Sequence, residues 1–130
     1  MATIERFEDI ESWQRGREVA NLVYTATRND RFLRDFALCN QIRRAAVSIV
    51  SNIAEGFERD GNKEFLQFIA IAKGSCGEVT AHLYIALDQG YIDEETFDRI
   101  RSRVDETSRM IGGMMRYLRT TEFRGNKFKA

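Results

Sequence analysis

At 130 residues, with 43% hydrophobic and 31% charged residues, the chain has the size and balance of one folded domain, which argues against a disordered tract. Twenty basic residues offset twenty acidic ones, so the positive excess of a dedicated nucleic-acid binder is missing. Proline is absent altogether, which disfavours loop-rich and β-rich architectures and favours long unbroken helices.

The charge is unevenly placed. Glu5, Glu8, Asp9 and Glu11 stand against Arg6 alone at the start. From Arg109 onward come Arg109, Arg116, Arg119, Arg124, Lys127 and Lys129 with one acid, Glu122. An acidic start and a basic end attract each other within or between subunits, over a reach of roughly 8 Å in cellular salt. No charged n-region with an apolar core opens the chain, and no apolar run nears the roughly 18 residues of a membrane span, so a cytoplasmic protein is expected.

After the acidic lead-in, the segment from about Ser12 to Arg28 carries an apolar stripe of Trp13, Val19, Leu22, Val23 and Ala26 at helical spacing. Ser12 is its expected N-cap, with Phe7 and Ile10 folding back as a hydrophobic staple. The second predicted helix runs from about Phe36 to Glu55 on the seam Cys39, Ile42, Ala46, Ile49 and Ile53, with Gly56 as its stop and Asp60-Gly61-Asn62 as a turn. The third covers about Lys63 to Gln89, from Phe65 and Phe68 through Cys76 to Ala86, and Gly90 closes it. Gly74 and Gly77 in its middle cost about 1 kcal/mol each relative to alanine, so a closely approaching backbone or a bend is expected there. A fourth helix, about Asp93 to Leu118, begins at the N-cap candidate Asp93 and holds a heptad seam from Phe97 to Leu118. The remainder, residues 119–130, is a polar, basic tail containing Phe123 and Phe128. Short loops between long amphipathic helices predict an all-α, antiparallel up-down-up-down four-helix bundle, a single domain over residues 1–130.

Catalytic and cofactor signals are missing. Cys39 and Cys76 are far apart and sit on apolar faces, where cysteine behaves as a small hydrophobe. The one histidine, His82, cannot supply the paired Glu-x-x-His sets of bundle metal sites and reads as a boundary residue. No phosphate-cradling loop or nucleophile elbow occurs. A carboxylate such as Glu55 or Glu78, buried in a polar pocket, is the remaining catalytic candidate, and the spacing supplies it with no partner. A non-enzymatic protein without cofactor, metal or small-molecule substrate is expected.

The informative stretch is Gln41 to Phe57, Q-I-R-R-A-A-V-S-I-V-S-N-I-A-E-G-F. Opposite its apolar seam lie Arg44, Ser48, Ser51, Asn52 and Glu55, with Arg43 beside them, where an ordinary solvent face would favour Lys, Glu and Gln. Three readings fit: small polar side chains satisfying one another at a close helix contact, a protein–protein seam with Arg43 and Arg44 as anchors, or a polar ligand pocket.

At this stretch the chain resembles a known family. The segments F-E-D-I-E-S-W-Q (Phe7–Gln14), R-R-A-A-V-S-I-V-S-N-I-A-E-G (Arg43–Gly56), K-E-F-L-Q-F-I-A-I-A-K-G-S-C-G-E (Lys63–Glu78) and L-D-Q-G-Y-I (Leu87–Ile92) look like those of the bacterial four-helix-bundle proteins encoded by intervening sequences of 23S ribosomal RNA genes. The likeness spans about Phe7 to Leu118, and Val50 stands where members often carry proline. It implies assembly into a ring, typically a homopentamer, and no known catalysis. A related family, the accessory variability protein of diversity-generating retroelements, is strongly basic and binds a reverse transcriptase and nucleic acid.

Two functions follow as expectations. One is a homo-oligomeric scaffold joined through Arg43, Arg44, Ser48, Ser51, Asn52 and Glu55. The other is an RNA- or DNA-binding accessory protein using Arg116, Arg119, Arg124, Lys127 and Lys129 repeated around a ring, with Phe123 and Phe128 stacking on bases.

Overall fold

The computed structural model describes residues 4–120. They form a 3-10 turn at Phe7–Asp9 and five helices: α1 (Glu11–Ala26), α2 (Asp30–Arg34), α3 (Phe36–Glu58), α4 (Asn62–Asp88) and α5 (Glu94–Thr120). The four long helices are those the periodicity predicts. The short α2 is an addition.

Contacts fix the directions. Gly16 early in α1 faces Ile49 and Val50 late in α3, and Gly56 near the end of α3 lies against Phe65 and Phe68 near the start of α4. On the other side Asn62 of α4 donates to the Leu118 carbonyl of α5 at 2.8 Å, and Arg15 of α1 approaches Glu106 of α5. Each pair is antiparallel, so α1, α3, α4 and α5 close a four-membered ring around one core. Ile42, Ile49, Ile53, Ile69, Val79, Leu83, Ile100 and Ile111 fill it, essentially without solvent contact.

Several predicted ends shift, for reasons of packing. Ser12 is not an N-cap: α1 starts one residue earlier, behind Ile10, and Ser12 is buried with no hydrogen-bond partner for its hydroxyl among the described residues. Phe7 does fold back, edge-on to Trp13 at 5.2 Å between centroids, and Ile10 is buried. Gly56 does not stop a helix. It lies inside α3, which continues to Glu58, and a Cβ there would stand 2.8 Å from Phe68 Cβ and 2.9 Å from the Phe65 ring. The glycine is there because α4 crosses against it. Asn62, read as part of the turn, opens α4, while Gly61 makes the turn with a φ of 91°.

Gly90 does close α4. Its φ is 74°, and the Tyr91 amide bonds the Ala86 carbonyl at 2.9 Å while the Gly90 amide bonds that of Leu87 at 3.0 Å, a Schellman pair. Asp93 caps α5 by accepting from the Thr96 amide at 2.8 Å, and that bond holds its carboxyl below the usual range. Short α2 is stapled to this same turn. Asn29 caps it through the Phe32 amide and donates to the Tyr91 carbonyl, and Phe32 is fully buried beside the Tyr91 ring. Five residues are too few to show a period, so nothing in the spacing reveals this helix.

Candidate interaction surface

The small-polar stripe of α3 divides into an inward and an outward half. Inward, the Ser75 hydroxyl donates to Ser48 Oγ at 2.8 Å, and Asn52 Nδ2 donates to the Ser48 carbonyl at 2.8 Å and to its Oγ at 2.9 Å. Here small polar groups satisfy one another where α3 meets α4. Outward, Ser51 bonds only its own helix, at the Val47 carbonyl, and Arg44 is exposed with no ion pair among the described residues. Glu55 is exposed and pairs with Arg59 within the helix at 2.8 Å.

Arg43 is held in place. Its Nε donates to Thr27 Oγ1 at 2.8 Å, and its guanidinium lies over the Tyr24 ring, 4.6 Å from the centroid. Thr27 is itself fully buried and donates to the Val23 carbonyl. Around these groups runs an open groove of about 900 Å³, bordered by Tyr24, Asn40, Arg43, Arg44, Ser51 and Glu78.

Glu55 and Glu78 are not buried carboxylates, contrary to the catalytic candidacy raised for them. Both are more than half exposed, and each has a neighbour four residues on, Arg59 and His82 respectively. His82 is a largely buried boundary residue, 3.6 Å from Glu78. Among the described residues no group of His, Cys, Asp or Glu is arranged to hold a metal ion.

Both cysteines are free and buried, and burial pushes the Cys76 thiol up to about 12. The thiolate is the reactive form. Native protein at pH 8 is therefore expected to resist an alkylating reagent at Cys76 and to react fully once unfolded in urea. Labelling of Cys76 in the native state at the urea rate would contradict its packing.

The two faces of the bundle differ sharply. Along the α1–α5 seam, Arg15, Glu18, Arg103 and Glu106 form a lattice of ion pairs between 2.6 and 3.9 Å. On the outer sides of α3 and α4, by contrast, stand Phe36 (72% exposed), Ile71 (52%), Ile85 (48%) and Val47 (41%). Ala70, Gly74, Gly77 and Ala81 are exposed between them on α4. Among the described residues a Cβ at Gly74 or Gly77 would meet nothing within 4 Å, so no described element of the same subunit accounts for either glycine.

Of the predicted nucleic-acid contacts, Arg116 and Arg119 are exposed near the end of α5, and neither pairs with a carboxylate among the described residues. Arg116 reaches back toward Gly112 and Gly113. Arg124, Lys127 and Lys129, like Phe123 and Phe128, lie outside the described residues. Sequence reasoning singled out Gly74 and Gly77 on this helix but missed the exposed Ile71 and Ile85 beside them, because it assigned the helix's apolar residues to the core. A signal was present, since Ile71 and Ile85 fall off the seam.

These features define an all-helical bundle with one ionic face and one apolar, glycine-bearing face. The sequence profile of the 23S rRNA-intervening sequence proteins matches residues 8–113, and the chain belongs to that family. No curated protein matches the chain. It is similar in fold to a crystal structure from Bacteroides thetaiotaomicron, a protein of unknown function from the S23 ribosomal protein family. The TM-score is 0.74 at 21% identity, over 80% of this chain and 97% of that one. No helix among the described residues is long and apolar enough to cross a membrane.

Proposed function

We propose that the protein is a non-catalytic interaction module that works in the cytoplasm as a homo-oligomer, joined through the outer sides of α3 and α4. The observation supporting this is the contrast between the faces. A helix in contact with water on one side is normally dominated by charge there, and α4 exposes Ile71, Ile85, Ala70, Ala81, Gly74 and Gly77 among its charged residues Lys73 and Glu78. Each mid-helix glycine costs about 1 kcal/mol, and no described residue of the same subunit packs close enough to need it. A second backbone approaching α4 would supply that benefit. Arg44 and Ser51 border the same surface, and arginine is enriched at such contacts. The family resemblance suggests a pentameric ring as the closed form.

Native mass spectrometry of Val47→Lys/Ser51→Lys tests this. Both positions are exposed, so the subunit should still fold. Wild type is expected at a whole-number multiple of 15.1 kDa, five by the resemblance, and the variant at 15.1 kDa. A variant of unchanged mass would remove this part of α3 from the interface, and a monomeric wild type would contradict the reading.

A nucleic-acid-binding role has one specific observation in its favour. Arg109, Arg116 and Arg119 follow one another along the end of α5 without carboxylate partners among the described residues. Repetition around a ring would concentrate that charge despite a neutral chain. Heterogeneous extra mass in the same spectrum, removed by nuclease, would put this role first.

A further inference from the structure

We infer that the groove around Arg43 and Arg44 receives the acidic lead-in segment of a second copy, Glu5 to Glu11, in a head-to-tail contact. This rests on the self-association reading and specifies its polarity.

The groove side is built for a carboxylate. Thr27 and the Tyr24 ring immobilise the Arg43 guanidinium, yet they engage only its Nε and its face. Its two terminal nitrogens have no acceptor among the described residues, and Arg44 beside it has no ion pair. A fixed guanidinium with a free edge suits bidentate pairing with a carboxylate, because the ordering entropy is already spent. One acid, Glu78, borders the groove, and its neighbour is His82.

The segment side is the matching half. Glu5, Glu8, Asp9 and Glu11 make no ion pair among the described residues, and Asp9 and Glu11 are exposed. Their backbone is nonetheless ordered. Residues 7–9 form a 3-10 turn, Phe7 packs on Trp13, Ile10 is buried, and Gln14 Nε2 donates to the Glu8 carbonyl at 2.8 Å. The backbone that carries these carboxylates is therefore held in place, which lowers the ordering cost of docking.

One subunit cannot join its own two halves. The segment precedes the first turn of α1, whereas Arg43 sits beside Tyr24 and Thr27 at the other end of that helix. At 1.5 Å per residue the separation is roughly 20 Å, far beyond a side chain's reach. Pairing between copies therefore joins one surface to a different surface of the neighbour. Where each copy gives its segment to one neighbour and receives that of another, the contact is heterologous and builds a closed ring or an open filament, whereas a reciprocal exchange between two copies closes as a two-fold dimer.

Charge reversal tests the pairing, with assembly followed by sedimentation and folding by circular dichroism. Arg43→Glu/Arg44→Glu and Asp9→Arg/Glu11→Arg should each weaken assembly at least tenfold while the helical signal stays intact. The combined variant, with all four positions reversed in one chain, should recover most of it. Failure of the combined variant to recover would overturn the pairing, as would assembly indifferent to either reversal. Both results leave self-association through α3 and α4 standing, whereas a monomeric wild type removes both. If a reversal unfolds the chain, wild-type assembly decides through salt: loss of affinity between 50 and 500 mM NaCl is expected, and salt-independent assembly overturns the inference.

Discussion

Phe57→Ala is expected to cost the subunit about 3–5 kcal/mol, a large share of the total stability of a domain this size. Phe57 is 1% exposed and meets Phe65 edge-on, 6.2 Å between ring centroids, where α3 and α4 cross at Gly56. Removing the ring takes away the burial of its surface and leaves a cavity that two glycine-close backbones cannot collapse to fill. Urea denaturation, read by circular dichroism, measures the loss. A cost below about 1 kcal/mol would mean the crossing is looser than described.

Gly74→Ala/Gly77→Ala should act in opposite directions on folding and on assembly. A Cβ at either position meets nothing within 4 Å among the described residues, so each alanine should stabilise the helix by about 1 kcal/mol. If a neighbouring backbone lies against these glycines, the same two methyl groups should weaken assembly tenfold or more. Denaturation of dilute, dissociated subunits reads the first effect and sedimentation at higher concentration reads the second. A stabilised subunit with unchanged assembly would place both glycines in water within the oligomer. Alanine at Gly56 provides the contrast, since there the added atom would sit 2.8 Å from Phe68 Cβ. That substitution should destabilise the subunit, because overpacking outweighs the helix propensity gained.

The candidate surface was only partly legible from the residues. Ser48, Ser51 and Asn52 stood out because serine and asparagine are poor residues for a helix interior. Spacing alone could not tell that Ser48 and Asn52 turn inward to Ser75 while Ser51 faces water. The three span little more than one turn of the helix, and a rotation of a few tens of degrees exchanges their roles. Arg43 was visible as a possible anchor, but its fixation by Thr27 and Tyr24 was not, because sixteen residues separate it from Thr27.

The sequence by itself determined the four long helices, their antiparallel order, the Gly90 and Asp93 boundaries and membership of the family. Those features depend on periodicity, local capping and short loops, which are properties of neighbours along the chain. Tertiary structure alone decided that Gly56 serves a crossing and not a stop, that Ser12 is buried, and that α2 clamps the α4–α5 turn. It also decided which apolar residues remain outside the core. A stripe of isoleucine, alanine and glycine reads the same whether it faces a core or water, and only the packing of the other helices leaves the outer side of α4 uncovered.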